Sequence, residues 1–117
     1  MNNINEEKIV SIEIDLEELK RNKLDESFIT MFGSAIKLLM GYLTRQPGGH
    51  LKGRYYNVSG KRKDVESFAK TLGSEKKYLD AMKKHGLQDE KTFKYKSTLD
   101  KAIKGFEKTT GIKWPFK

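Results

Sequence analysis

The sequence has no cysteine, two prolines, two histidines and a single tryptophan. Without cysteine there is no disulfide framework, no thiol nucleophile, no iron–sulfur cluster and no Cys-bearing zinc site. The two histidines, His50 and His85, are far apart and do not make a catalytic metal set with any neighbouring pattern. Arginine is scarce as well. Arg21, Arg45, Arg54 and Arg62 are the only ones among 24 basic residues, although arginine is the side chain best suited to bidentate phosphate contact. No apolar run is long enough to span a bilayer, and Met1 to Lys8 lacks a signal-peptide pattern. The expectation is a cytoplasmic protein with no membrane partner.

What is present is one domain's length of chain, 117 residues, of which 36% are apolar and 34% charged. The net charge is +8, unevenly spread. Residues 1–47 hold 6 basic and 8 acidic side chains, and residues 48–117 hold 18 and 8. The boundary, Gln46-Pro47-Gly48-Gly49-His50, reads as a loop within one domain, because neither half alone buries a convincing core. A flexible tail is expected at residues 1–7 and a single domain at 8–117.

Val10, Ile12 and Ile14 alternate with polar residues, the period of a half-buried strand. Asp15 and Glu18 have capping-box spacing, which predicts a short helical turn over Leu16 to Arg21. Asp25 opens the most apolar segment. Phe28, Phe32, Ala35, Ile36, Leu39 and Leu43 recur at helical spacing, yet Ile29, Met31, Leu38, Met40 and Tyr42 fill much of the remaining circumference. Such a helix is either central or partly covered by another chain. Arg54 to Ser59, bracketed by Gly53 and Gly60, predicts a second strand. A long helix carrying Val65, Phe68, Ala69, Leu72, Leu79 and Met82 stops at His85-Gly86, and Gly73-Ser74 leaves its continuity open. After Asp89 a short turn carries Phe93. Ser97 is expected to cap a last helix with Leu99, Ala102, Ile103 and Phe106 inward, closed by Gly111. Ile112, Trp114 and Phe116 follow in an extended tail, and Trp114 is expected to be buried. The fold class expected is α+β: about two strands and three to four helices around a central apolar helix.

The charge pattern supplies the candidate surfaces. Lys63, Lys70, Lys77 and Lys84 lie seven apart, opposite Phe68, Leu72 and Leu79. Lys101, Lys104 and Lys108 lie opposite Leu99, Ile103 and Phe106. Two lysine ridges of this kind suit nucleic-acid phosphates, or serve only as a solvated helix back. Lys61-Arg62-Lys63 follows Ser59-Gly60 at a helix start, where backbone N–H groups can hold an anion, but three cations there oppose the helix dipole. Tyr55 or Tyr56 is a possible base-stacking residue beside Arg54, and a half-buried packing role is the commoner outcome. The acidic cluster Glu13, Asp15, Glu17 and Glu18 is explained by strand alternation and a cap. No catalytic triad order, carboxylate pair or metal spacing stands out, so no catalytic, cofactor or metal residues are assigned.

Phe68-Ala69-Lys70-Thr71-Leu72, Glu75-Lys76-Lys77-Tyr78-Leu79, His85-Gly86-Leu87 and the segment from Leu99 to the ending Gly111-Ile112-Lys113-Trp114-Pro115-Phe116-Lys117 resemble small proteins of marine T4-like tailed phages. The resemblance covers about the last fifty residues. It implies a phage setting with a head-assembly or accessory role and carries no site residues. The reading that follows is a non-enzymatic interaction or virion-assembly protein that self-associates through Ile29, Ile36 and Met40. The alternative is a nucleic-acid-binding accessory protein using Lys61, Arg62, Lys63, Lys70, Lys77, Lys84, Lys101, Lys104 and Lys108, and the third is an enzyme of unknown type. No cofactor is expected, and the partner is a protein, a second copy of the chain, or nucleic acid.

Overall fold

The computed structural model describes residues 12–45 and 56–116. The expected tail at 1–7, Val10, the break at Gln46–His50, Arg54 and Tyr55 lie outside them. Six elements follow in order: β1 (Ile12–Asp15), α1 (Leu16–Arg21), α2 (Glu26–Arg45), β2 (Tyr56–Ser59), α3 (Arg62–His85) and α4 (Glu90–Thr110). The fold is α+β.

β1 and β2 pair in parallel, with Ile12 opposite Tyr56 and Asp15 opposite Ser59. Parallel pairing needs a long crossover, and the chain through α1 and α2 supplies it. Both strands therefore end at one edge, and each feeds a helix. Asp15 caps α1, accepting hydrogen bonds from the Glu17 and Glu18 backbone N–H groups at 3.1 and 3.2 Å. Gly60 carries β2 into α3 at φ +144°, where a Cβ would stand 3.1 Å from the Leu16 Cβ. Only glycine fits that close approach with that dihedral. Ile12 and Ile14 point into the core while Glu13 and Asp15 face out.

α3 runs unbroken through Gly73-Ser74 and packs along α4 as an antiparallel hairpin. The start expected at Ser97 is corrected. Asp89 caps α4 instead, accepting from the Lys91 N–H at 2.8 Å, and Ser97 lies exposed in mid-helix. Asp89 is the better cap because the Thr92 hydroxyl closes the turn behind it, donating to the Gly86 carbonyl at 2.6 Å. Gly111 ends α4 in the left-handed region at φ +78°.

Four aromatic rings make the centre. Phe32 of α2, Phe68 of α3, Phe106 of α4 and Trp114 lie with centroids 5.3–6.3 Å apart. Trp114 is 2% exposed, as expected of a residue that closes the fold. Its segment is strapped down, because the Trp114 backbone N–H donates to Glu107 Oε2 and its indole Nε1–H to Glu75 Oε1, both at 2.9 Å.

α2 presents a single core stripe. Phe32, Ile36, Leu39 and Met40 are buried, and Phe28 and Ala35 are half-buried. This corrects the self-association face read from sequence. Ile36 and Met40 lie about 40° and 80° around the helix from Phe32, within the width of an ordinary core stripe, and the chain's own core covers them. Of the three residues only Ile29, in the first turn, is exposed. Among the residues of α2 whose side chains are described, the large apolar ones that reach solvent are Ile29, Met31 and Leu38.

Candidate nucleic-acid interface

The α3–α4 hairpin has two sides, distinguished by what lines each groove. On one, Tyr95 of α4 meets Lys77, Asp80, Ala81, Lys84 and His85 of α3. On the other, Leu99, Asp100 and Ile103 of α4 meet Glu75 and Tyr78, with Pro115 and Phe116. Helix rotation of about 100° per residue then sorts the remaining side chains. Lys63, Lys70, Lys77 and Lys84 fall within about 60° of one line along α3 on the Tyr95 side. From α4, Lys91, Lys94, Lys101 and Lys108 fall on that same side. All eight are exposed.

Small residues separate the two rows: Ser67 and Ser74 on α3, Thr98 and Gly105 on α4. A Cβ at Gly105 would meet nothing within 4 Å, so the floor between the rows is shallow and open. The Thr71 hydroxyl, fully buried, hydrogen-bonds to both the Ser67 and Ala102 carbonyls and fixes the spacing of the helices beneath.

The acidic residues interspersed with the ridges have partners outside the two rows. Glu66 pairs with Arg62, Asp80 with Lys76 and Asp100 with Lys96. Glu107 holds the Trp114 backbone. None of the eight lysines forms a salt bridge with a described residue. The carboxylates bordering the face are Glu66, at its edge, Asp80, beside Lys77 and Lys84, and Glu90, at the first residue of α4.

The nine basic residues named from sequence divide accordingly. Lys63, Lys70, Lys77, Lys84, Lys101 and Lys108 come together on this face. Lys104 turns to the outer flank of α4, in a shallow depression with Phe93, Lys96, Ser97 and Asp100 that Lys101 also borders. Arg62 is paired with Glu66, and Lys61 is the N-cap residue of α3 without a side-chain cap bond. Lys91 and Lys94 were missed. The signal was available, since Lys94, Lys101 and Lys108 repeat at seven like the α3 row, but reading α4 from Ser97 cut it off.

The Gly60 loop does not present a free anion site. Asp64, in the first turn of α3, is 2% exposed and ion-paired to Lys20 of α1. The chain's own carboxylate thus supplies the negative charge that the helix N-terminus favours and offsets the three cations around it. The hydrogen bond to Asp64 raises the Lys20 ammonium above the ordinary lysine range, with the charges of Asp64 and Glu17 adding to it against some burial.

The titration of the Glu75 carboxyl is displaced upward. Burial pushes its carboxyl up, while the Trp114 indole N–H and the charge of Lys96 pull it back. It borders a cleft with Tyr78, Lys96 and Asp100. Its hydrogen bond to Trp114 accounts for its place there. Among the described residues no group of three or more His, Asp or Glu is positioned to hold a metal ion. No described helix is long and apolar enough to cross a membrane. No protein-family model, curated protein or solved structure matches the chain.

Proposed function

We propose that the protein binds the phosphate backbone of double-stranded nucleic acid through the lysine face of the α3–α4 hairpin. The supporting observation is the eight exposed lysines on one side, without salt bridges to described residues, while the nearby acids are engaged by other partners. From Lys63 to Lys84 the row spans about 32 Å at 1.5 Å per residue, close to one turn of duplex, about 34 Å.

The chemistry of the face sets the mode of binding. Lysine is a point charge that satisfies phosphates without reading base edges. Among the described residues Tyr95 is the aromatic side chain on this face, beside Lys77 and Lys84, and one ring does not make a platform for stacking successive unpaired bases. Binding is accordingly sequence-tolerant and driven by counterion release. If six of the lysines meet phosphates, the slope of log K against log salt is about −5.

Fluorescence anisotropy with a labelled duplex tests this reading. Salt-dependent binding should appear at low ionic strength, and the double charge reversal Lys70→Glu, Lys77→Glu should weaken it at least tenfold with the fold intact by circular dichroism. Absence of binding at low salt refutes the reading. Binding unaffected by the double reversal refutes the assignment to this face.

A further inference from the structure

The large apolar side chains exposed among the described residues are not scattered. Leu24, Ile29, Met31 and Leu38 lie on the α1–α2 turn and along α2. Leu87, Phe93 and Tyr95 lie at the α3–α4 turn. Phe32 of α2 touches Phe68, and from there α3 runs about 26 Å to His85, so the two groups sit far apart on an elongated molecule 51 Å in its longest extent.

Met31 of the first group borders a groove. Its volume is about 120 Å³, and it lies between β1–α1 and α2, with Phe28, Met31 and Ala35 on one wall and Ile14 and Leu19 on the other. Glu13, Asp15 and Glu18 stand along it. Residues 12–31 carry six acidic and three basic side chains, a net of −3. The second group surrounds the turn, with Phe93 on the outer flank of α4 and Tyr95 against α3. The Thr92 hydroxyl pins it by hydrogen bonds to the Gly86 and Ala81 carbonyls, and Leu87 and Phe93 are each 55% exposed. Residues 82–96 carry five lysines and two acids, a net of +3.

We propose that the protein associates head to tail, the α3–α4 turn of one copy seating Leu87 and Phe93 in the acidic groove between β1–α1 and α2 of the next. Charge selects this arrangement over a symmetric one. A two-fold dimer through α2 would press two surfaces of net −3 together, whereas head-to-tail contact sets −3 against +3. Met31 at the groove and Leu87 and Phe93 at the turn are then covered by one repeated interface. A heterologous contact of this kind does not close on itself as a pair, so growth continues to a filament or a ring. The proposal does not depend on nucleic-acid binding by the lysine face.

The test is sedimentation of nuclease-treated protein with two variants at exposed positions, Met31→Glu in the groove and Phe93→Glu on the turn. Wild type should show a mass that rises with concentration beyond the dimer and falls with added salt. Each variant alone should be a monomer with an unchanged circular dichroism spectrum. An equimolar mixture should double in mass and stop there, because it retains one intact groove and one intact turn. A wild-type monomer at high micromolar concentration overturns the proposal, whatever other basic peptide the groove accepts. A Phe93→Glu variant that still dimerises overturns it in favour of a symmetric contact through α2. A mixture that stays monomeric overturns the pairing of these two surfaces.

Discussion

Replacing Glu75 by leucine leaves the Trp114 indole N–H without its acceptor inside the core. Glu75 is 6% exposed and Trp114 2%, so water does not take the vacated place freely. The cost of such an orphaned donor is about 1–3 kcal/mol. For a chain of this length that is a fall in Tm of about 4–12 °C. Glu75→Gln separates hydrogen bonding from charge, because the amide oxygen still accepts from Trp114 while nothing ionises. Burial raises the Glu75 carboxyl above its unfolded value, so its contribution is greatest at low pH and is lost as the pH rises through the folded-state value. The stability of Glu75→Gln relative to wild type should therefore increase from about pH 4, where unfolded glutamate ionises, and then level off. Urea unfolding followed by tryptophan fluorescence measures both effects, since Trp114 is the only tryptophan. If glutamine costs as much as leucine, the hydrogen bond is not what Glu75 contributes. If the glutamine variant loses ground to wild type as the pH rises, the burial argument is wrong.

Three further outcomes follow from the packing. Trp114→Ala should cost about 3–5 kcal/mol, because it empties the meeting point of three phenylalanine rings; native emission at a water-like wavelength would contradict the burial behind that figure. Gly60→Ala should destabilise by about 1–3 kcal/mol in a chemical melt, since alanine at φ +144° is strained and meets Leu16; a neutral substitution would show that the turn relaxes. Lys20 stabilises α1 against α3 while protonated, and its raised value means that this contribution is lost only above the ordinary lysine range. The alkaline limb of a stability profile, above about pH 10, should therefore flatten in Lys20→Gln, and an unchanged limb would mean that the pair with Asp64 contributes nothing.

Signals confined to one element were legible in the sequence. The alternation of Ile12 and Ile14, the Asp15 cap, the lysine heptads of α3 and the stops at Gly86 and Gly111 are local consequences of backbone geometry, and each stands where its residues place it. So does the burial of Trp114, whose Pro115 neighbour bars more helix. The start of α4 was misplaced because Ser97 and Asp89 both make acceptable caps. The Thr92 hydroxyl, reaching across the turn to α3, favours Asp89. Relations between elements needed the tertiary structure. A helix with apolar residues on much of its circumference does not say which strip its neighbours cover, and so Ile36 and Met40 joined the core while Met31 and Leu38 stayed outside. The parallel pairing of β1 with β2, the burial of Asp64 against Lys20 and of Glu75 against Trp114, and the union of two lysine rows on one face all join residues distant in the chain. Periodicity orients a side chain around its own helix axis. Only the packing of one axis against another decides what that side chain faces.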